Sequence, residues 1–207
     1  MRGLGYERYG AQGGDFGAGV ATFMALDDPK AMVGVHLNSL EVPPYTGPGS
    51  RLPSEAERAY LQRNQAWWKA EGGYKAIQAT RPQTLGYGLN DSPAGLAAWI
   101  LEKWRSWTIT SSIRDYFDNR WFGVALDIHD FVNVPTGIAV FANQFVDEGA
   151  PPREWAERLY NVRRWTSMPS GAHFAPVEEP ERLARDIAAF FAGPQIVMGS
   201  PGGAGSV

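Results

Sequence analysis

The chain has 207 residues, of which 44% are apolar and 20% charged, as in an ordinary soluble domain with one core. Its 19 basic and 22 acidic residues give a net charge of −3 without a basic block, which argues against a nucleic-acid partner. The absence of cysteine excludes disulfides and thiolate sites and is compatible with the cytoplasm, where we place the chain. No apolar run approaches the roughly 18 residues that span a bilayer, so we predict no membrane anchor.

The first predicted elements form a strand–helix–strand unit. Residues 9–12 are predicted to be a short strand that runs directly into a glycine-rich turn. Residues 16–26 have helical character and are followed by Asp28 and Pro29, which end the helix. Met32–Leu37 is mostly apolar and typical of a buried strand in a parallel sheet, which makes a βαβ unit.

A helical insertion follows a stretch rich in proline and glycine. Ser54 and Glu57 form a capping box and predict the start of the first helix, and Pro93 lies in the first turn of the last one. The predicted helices cover residues 55–70, 74–79, 83–89 and from 91 or 92 to 104. The insertion therefore extends from residue 53 to about residue 120, between two strands of the sheet.

The alternation of strands and helices resumes after the insertion. An apolar run rich in β-formers covers residues 134–141, a helix is predicted over 153–159, and a strand over 162–166. The final helix, Pro180–Phe191, is amphipathic and has its apolar residues on one face. Four such residues are Leu183, Ile187, Phe190 and Phe191.

The run Gly-Gly-Asp-Phe-Gly at residues 13–17 is a candidate nucleophile turn. Between a strand and a helix, such a turn holds its central residue, Asp15, at the sheet edge, and the tight turn requires glycine. The Phe16 amide points to the same place and can stabilise an oxyanion. A carboxylate nucleophile favours alkyl electrophiles such as epoxides or haloalkanes, because the resulting ester is stable until a general base activates water. Alone, the run is equally typical of a surface turn.

His173 is the candidate general base. It lies in a glycine-containing loop after the last predicted strand and before the last helix, which is the position of the base in an α/β-hydrolase. His36 lies within an apolar strand and is predicted to be packed. His129, between Asp127 and Asp130, is too weak a pattern for a metal, so we predict neither metal nor cofactor.

Several stretches of the sequence together carry a family resemblance. The chain resembles the epoxide hydrolases of the microsomal and juvenile-hormone type and their bacterial relatives. The matching stretches are residues 4–15, 77–84, 89–100, 134–137 and 171–181, which read LGYERYGAQGGD, IQATRPQT, LNDSPAGLAAWI, VPTG and GAHFAPVEEPE.

The resemblance implies a partial α/β-hydrolase fold, with a mostly parallel sheet and a helical lid. Residues 1–45 are then a core with the nucleophile elbow, 46–120 a shortened lid, 121–193 the C-terminal part of the core, and 194–207 a disordered tail. The family's first strands and its His-Gly-x-Pro oxyanion loop have no match here, so we expect an N-terminally truncated form. We expect such a sheet to have about four strands and an exposed edge through which two copies pair.

The resemblance also implies a reaction on a small apolar epoxide. Asp15 would attack an epoxide carbon while Tyr74 and Tyr116 hydrogen-bond the epoxide oxygen. His173 would then activate water to hydrolyse the ester and release a vicinal diol. Tyrosine suits its role because a neutral hydroxyl can donate to a developing alkoxide at neutral pH.

The chain departs from the family pattern near the base. Gln144 stands where the family has the acid that orients the histidine, and an uncharged amide supports an imidazolium poorly. Asp147 and Glu148 are interpreted as solvated loop charges. Phe16 replaces the usual tryptophan but keeps the backbone amide, and the lid is shortened after Trp107.

Two alternatives to an epoxide hydrolase-like enzyme stay open. A non-catalytic remnant that folds and serves as a binding or oligomeric module is favoured by Gln144 and by the unmatched N-terminal half. A haloalkane dehalogenase shares the aspartate–histidine chemistry, but the matches at Tyr74 and Tyr116 favour an epoxide. The leading prediction is an epoxide hydrolase-like chain, and whether it keeps its activity stays open.

Overall fold

The computed structural model describes residues 1–107, 125–141 and 150–197. Its strands are β1 Tyr9–Gly13, β2 Met32–Leu37, β3 Val132–Phe141 and β4 Tyr160–Met168. Its longer helices are α1 Phe16–Asp27, α2 Glu55–Glu71, α3 Gly73–Thr80, α4 Pro82–Asp91, α5 Pro93–Trp107 and α8 Pro180–Phe191. Three short helices are α6 Arg153–Ala156, α7 Ala175–Glu178 and α9 Pro194–Val197, and a 3₁₀ turn covers Arg2–Leu4.

The four strands form one parallel sheet in the order β1-β2-β3-β4. In the aligned register, Gly13 of β1 lies beside Leu37, Leu37 beside Ile138, and Ile138 beside Trp165. Because all strands run the same way, the loops that follow them meet at one edge of the sheet. The predicted βαβ unit and parallel sheet are confirmed.

Helices pack on both faces of the sheet. On one face, the small side chains of α1 allow close approach to β2 and β3. This core includes Ala18, Ala21, Ala25, Val35, Leu37 and Ile138. On the other face, Phe190 of α8 is fully buried against Gly137 of β3 and His36 of β2. The arrangement is a three-layer α/β structure, in which successive residues of a strand face opposite helices.

One buried carboxylate connects the helical insertion, α2 to α5, to the turn that precedes β4. The predicted capping box is present, with Ser54 N–H donating to Glu57 over 2.8 Å and Glu57 N–H donating to Ser54 over 3.2 Å. Glu57 is fully buried and also accepts from Arg158 and Arg51, each over 2.7 Å. The hydrogen bonds from Arg158 outweigh desolvation and lower the Glu57 pKa to about 2.

The structure differs from the sequence prediction at one helix of the C-terminal region. The helix predicted over 153–159 ends at Ala156, because the Leu159 carbonyl accepts from Val132 N–H over 2.7 Å and leads the chain into β4. The first four residues of the predicted tail form α9, whose Ile196 packs over Gly34, where the missing side chain leaves room. Residues 198–207 lie outside the described ranges.

Candidate active site

The turn between β1 and α1 has a strained backbone at Asp15. With φ 49° and ψ −128°, Asp15 is the one non-glycine residue of the described ranges with positive φ. A Cβ on Gly13 would lie 2.1 Å from the Gly17 carbonyl oxygen, and a Cβ on Gly14 would lie 2.5 Å from Asn38. These two positions require glycine, as predicted. Gly17 does not, since a Cβ there meets nothing within 4 Å.

The loop after β2 holds this turn in place. Asp15 N–H donates to Ser39 Oγ over 2.7 Å, and Asn38 N–H donates to the Gly13 carbonyl over 3.1 Å. Gln12 Nε2 donates to Asn38 Oδ1 over 2.7 Å. Asn38 and Ser39 are both buried. Their roles were not predicted, although two polar residues directly after a buried strand are the available signal.

His173 lies opposite Asp15, on the loop between β4 and α7. Its Nε2 is 2.8 Å from Asp15 Oδ2, and its side chain is 3% exposed against 32% for Asp15. Gly171 gives this loop its shape, since it has φ 97° and a Cβ there would lie 2.7 Å from the Phe141 ring. The structure therefore brings together the two residues that the sequence singles out as nucleophile and base.

Tyr74, one of the two tyrosines predicted to bind the epoxide oxygen, packs against Phe16, the residue that follows Asp15. Tyr74, on α3, is buried and packs in an aromatic cluster with Phe16. The other members of this cluster are Trp67, Trp68 and Trp99. Phe16 begins α1, so its backbone amide lies in the first turn of the helix beside Asp15. Tyr116, Gln144, Asp147 and Glu148 lie outside the described residues.

Glu41 is a second carboxylate at the site, and the sequence did not single it out. It is partly buried on the loop after β2 and accepts a hydrogen bond from the Ser39 hydroxyl. Burial raises its pKa, and the negative charge of Asp15 raises it further. The charges of His173 and Lys75 and the hydrogen bond from Ser39 act in the opposite direction.

Lys75 completes the charged groups that face Glu41. It follows Tyr74 on α3, and its ammonium lies 4.2 Å from the centroid of the Trp68 ring. Burial lowers the Lys75 pKa, while the negative charges of Glu41 and Asp15 oppose that shift. The helical insertion therefore contributes the Lys75 ammonium to a site whose two acids, Asp15 and Glu41, follow strands of the sheet.

The other two histidines lie elsewhere. His129 is exposed in a turn where its N–H donates to Asp127 Oδ1 over 2.6 Å. Within the described ranges, no three His, Cys, Asp or Glu side chains converge as metal ligands. His36 is fully buried, as predicted, and its Nε2 lies 3.0 Å from Asp186 Oδ2.

Asp186 of α8 is saturated with donors. Besides His36, it accepts from Arg164 Nε and from Thr166 Oγ1, each over 2.8 Å. His36, Gly137 and Arg164 are aligned across three strands, and Gly137 leaves the space that this network needs. A Cβ there would lie 2.8 Å from the Phe190 ring and 3.2 Å from His36. The glycine of the VPTG stretch is thus explained by packing.

Sequence comparison relates the chain to known proteins over about nine tenths of its length. It is 36% identical over 218 residues to a Stigmatella aurantiaca protein assigned provisionally as an epoxide hydrolase, covering 90% of this chain and 47% of that one. It is 34% identical over 237 residues to epoxide hydrolase 1 of Oryctolagus cuniculus, covering 90% and 51%. The chain is a relative of the epoxide hydrolases. No protein-family model matches it.

Solved structures support the same relationship with the epoxide hydrolases. The juvenile hormone epoxide hydrolase of Bombyx mori superposes with a TM-score of 0.71 and 28% identity over 92% of this chain and 56% of its own. The Aspergillus niger epoxide hydrolase gives 0.70 and 27%, covering 92% and 54%. The predicted partial α/β-hydrolase fold is confirmed. The chain spans about half the length of the curated epoxide hydrolases it matches.

None of the described helices meets the length and hydropathy needed to cross a bilayer.

Proposed function

We propose that this chain hydrolyses an epoxide to a vicinal diol through an ester on Asp15. The observation that carries the proposal is the 2.8 Å contact between Asp15 and His173 at a strained turn on the carboxyl edge of a parallel sheet. A two-step hydrolysis of this kind requires at least a nucleophile and a general base close to it. The relationship to epoxide hydrolases supports an epoxide over other alkyl electrophiles.

In the first step, a carboxylate oxygen of Asp15 attacks an epoxide carbon. The carbon–oxygen bond of the ring breaks, and the oxygen takes a proton from a tyrosine hydroxyl. The packing of Tyr74 against Phe16, the neighbour of the nucleophile, supports this role for Tyr74. Tyr116 is the second donor that the family resemblance implies. Proton donation at this point stabilises charge that develops only in the transition state.

In the second step, His173 takes a proton from water. The water oxygen attacks the ester carbonyl of Asp15, and the Phe16 amide, in the first turn of α1, stabilises the oxyanion. Collapse of the intermediate breaks the ester bond, and the departing diol oxygen takes the proton that His173 removed from water. The Asp15 carboxyl group then ionises, and its proton restores the tyrosine hydroxyl through solvent. His173 is almost fully buried, so one positioned water is favoured over bulk solvent.

The substrate that fits this site is small and apolar. The aromatic cluster around Tyr74 supplies an apolar surface next to the residue that follows Asp15, and three of its five members are tryptophans. An aryl epoxide such as styrene oxide is therefore a suitable probe.

Single-turnover hydrolysis of styrene oxide in oxygen-18 water tests the ester. An ester on Asp15 places the first heavy oxygen in the enzyme, and the diol of the first turnover takes its oxygen from Asp15. Asp15→Asn abolishes turnover, and His173→Gln leaves the alkylated protein detectable by intact mass. Equal rates for the unmodified chain and Asp15→Asn, both at background, would instead indicate a non-catalytic binding module. Halide release from a bromoalkane, without diol from the epoxide, would indicate a dehalogenase.

A further inference from the structure

The backbone of Asp15 has a conformation that aspartate disfavours. Its φ of 49° and ψ of −128° lie close to the first central position of a type II′ turn, where glycine is the usual residue. Such a conformation persists only where contacts with the surrounding structure hold it. Those contacts must act on the two peptide groups that flank Asp15, because the orientations of these groups set φ and ψ.

The two flanking peptide groups are held in different ways. The carbonyl of Asp15 accepts from Ala18 N–H over 3.0 Å and from Gly19 N–H over 3.4 Å. These bonds belong to the first turn of α1 and form wherever a helix begins. The N–H of Asp15 instead donates over 2.7 Å to Oγ of Ser39, a residue 24 positions away in the chain. The orientation of the peptide group between Gly14 and Asp15 therefore depends on a distant side chain.

The residue before the nucleophile offers no constraint of its own. A Cβ on Gly14 would lie 2.5 Å from Asn38, so the close packing of the turn requires glycine there. Glycine accepts almost any backbone conformation, and rotation of the peptide group would change its ψ with little resistance. The same rotation would bring Asp15 to a negative φ, which an L-residue prefers. The conformation of Asp15 therefore has to be fixed from outside the turn.

Ser39 is a firmly placed acceptor for the Asp15 N–H. It is buried in the loop after β2. Gly13 lies beside Leu37 where β1 and β2 end, and Asn38 N–H donates to the Gly13 carbonyl over 3.1 Å. These contacts fix the loop relative to the turn. The 2.7 Å between Asp15 N and Ser39 Oγ is at the short end of the range for hydrogen bonds from N–H to oxygen.

We propose that Ser39 is a positioning residue that keeps Asp15 in the conformation from which it attacks the epoxide. This inference rests on the proposed function, since the conformation acts through the reaction of Asp15. In that conformation, the Asp15 carboxylate lies 2.8 Å from His173 Nε2. The hydrogen bond also commits the Asp15 amide to Ser39, so the neighbouring Phe16 amide serves the oxyanion. Without the acceptor, the peptide group rotates and the carboxylate moves away from its productive position.

Amide NMR of the protein without substrate tests the role of Ser39 independently of turnover. A strong NOE between the amide and Hα protons of one residue marks a positive φ, and slow amide exchange marks a stable hydrogen bond. We expect both at Asp15 in the unmodified chain. In Ser39→Ala, the NOE should weaken and Asp15 amide exchange should accelerate by about tenfold or more, while exchange at Ala21 and Ala25, buried within α1, stays within about twofold. No change at Asp15, or equal acceleration at all three amides, would overturn the proposal.

Two further variants control for unspecific loss of structure. Ser50→Ala is the matched control, because Ser50 Oγ donates to the Gly47 carbonyl over 2.8 Å within another turn of the same connection between β2 and α2. It should leave exchange of the Asp15 amide unchanged, and an effect equal to that of Ser39→Ala would contradict direct action. Ser39→Cys keeps nearly the same shape but offers a weaker acceptor, so its Asp15 exchange rate should be intermediate. If Ser39→Ala does not fold, Ser39→Cys decides, and slow exchange as in the unmodified chain would refute the proposal.

Single-turnover kinetics with styrene oxide connect the conformation to the reaction. In Ser39→Ala, the maximal rate of alkylation should fall by about 10- to 100-fold, because a reacting group is misplaced. The styrene oxide concentration that gives half of the maximal rate should change by less than about threefold. Ser50→Ala should behave as the unmodified chain does. A weaker affinity with an unchanged maximal rate would show that Ser39 shapes the binding surface and does not position Asp15.

The two experiments distinguish failure of this inference from failure of the proposed function. If the unmodified chain never becomes alkylated, the proposed function is wrong, and the NMR experiment still decides whether Ser39 fixes the backbone of Asp15. If alkylation occurs at the same rate in Ser39→Ala and in the unmodified chain, only the role of Ser39 is wrong.

Discussion

The sheet holds two aspartate–histidine pairs that look alike locally but lie in different surroundings. His173 lies 2.8 Å from Asp15 at the carboxyl edge, and His36 lies 3.0 Å from Asp186 beneath α8. The side chain of Asp15 is 32% exposed, whereas that of Asp186 is 2% exposed. Contact between an acid and a histidine therefore does not by itself mark a reactive site.

Backbone strain and donor saturation separate the two pairs. Asp15 has a left-handed φ of 49°, which costs stability and persists at functional sites. Asp186 lies in the regular helix α8 and accepts from Arg164, Thr166 and His36. An acid whose lone pairs are occupied and buried has a structural role, while a strained and partly exposed acid is available to a substrate.

The largest loss of stability is expected when Asp186, the acid of the buried pair, loses its negative charge. Asp186→Asn leaves Arg164 without its carboxylate and weakens the contact with His36, which should lower the free energy of unfolding by about 3 kcal/mol. Urea denaturation followed by tryptophan fluorescence measures the change. A loss below about 0.5 kcal/mol would contradict a structural role for this pair.

Acid should weaken the buried pair. Desolvation opposes ionisation of Asp186, but the hydrogen bonds from His36, Arg164 and Thr166 outweigh it and lower the pKa from 3.8 to about 2. Because the folded-state pKa lies below the unfolded one, this stability is present above about pH 4 and is lost as pH falls toward 2. The shift corresponds to about 2 kcal/mol.

Urea denaturation at pH 5 and pH 2 measures this acid effect, with Asp186→Asn as the control. Glu57, whose pKa is lowered from 4.5 to about 2, contributes in the same range. The pH dependence of stability that remains in Asp186→Asn therefore includes the contribution of Glu57. The difference in pH dependence between the two proteins is the contribution of Asp186. Parallel pH curves for the two proteins would contradict the assignment.

Two glycines of the nucleophile turn should respond in opposite directions. Gly13→Ala places a Cβ 2.1 Å from the rigid carbonyl of Gly17 and should cost about 2 kcal/mol. Gly17→Ala meets no atom within 4 Å and lies within α1, so it should add up to about 1 kcal/mol through helix propensity. Thermal melts of both variants measure the change in stability. Equal losses of stability would show that the turn tolerates no side chain at either position.

The sequence carried enough local information to predict the βαβ unit, the Ser54 capping box and the pairing of Asp15 with His173. These features depend on short-range spacing or on the rule that parallel strands end at one edge. The burial of Asp186 could also have been predicted. It lies between Leu183 and Phe190 on the apolar face of the final helix, and an acid on such a face indicates a buried ion pair.

Other features depend on contacts between distant segments. Ser39 acquires its role only when the loop after β2 approaches the turn after β1, as the hydrogen bond that it accepts from Asp15 N–H shows. Likewise, α6 ends early because the Leu159 carbonyl accepts a hydrogen bond from the N–H of Val132, which lies 27 positions earlier in the chain. No local pattern encodes such contacts, so propensity and periodicity alone miss them.

The smallest expected effect makes the sharpest distinction between the two pairs. Asp15→Asn should change the free energy of unfolding by no more than about 0.5 kcal/mol, because asparagine tolerates positive φ and keeps a polar partner for His173. The same substitution at Asp186 removes the counter-charge of a buried network. If urea denaturation shows equal losses for both variants, the Asp15 pair is a structural element. If only Asp186→Asn loses stability, the Asp15 charge is held for a ligand, because folding alone does not require it.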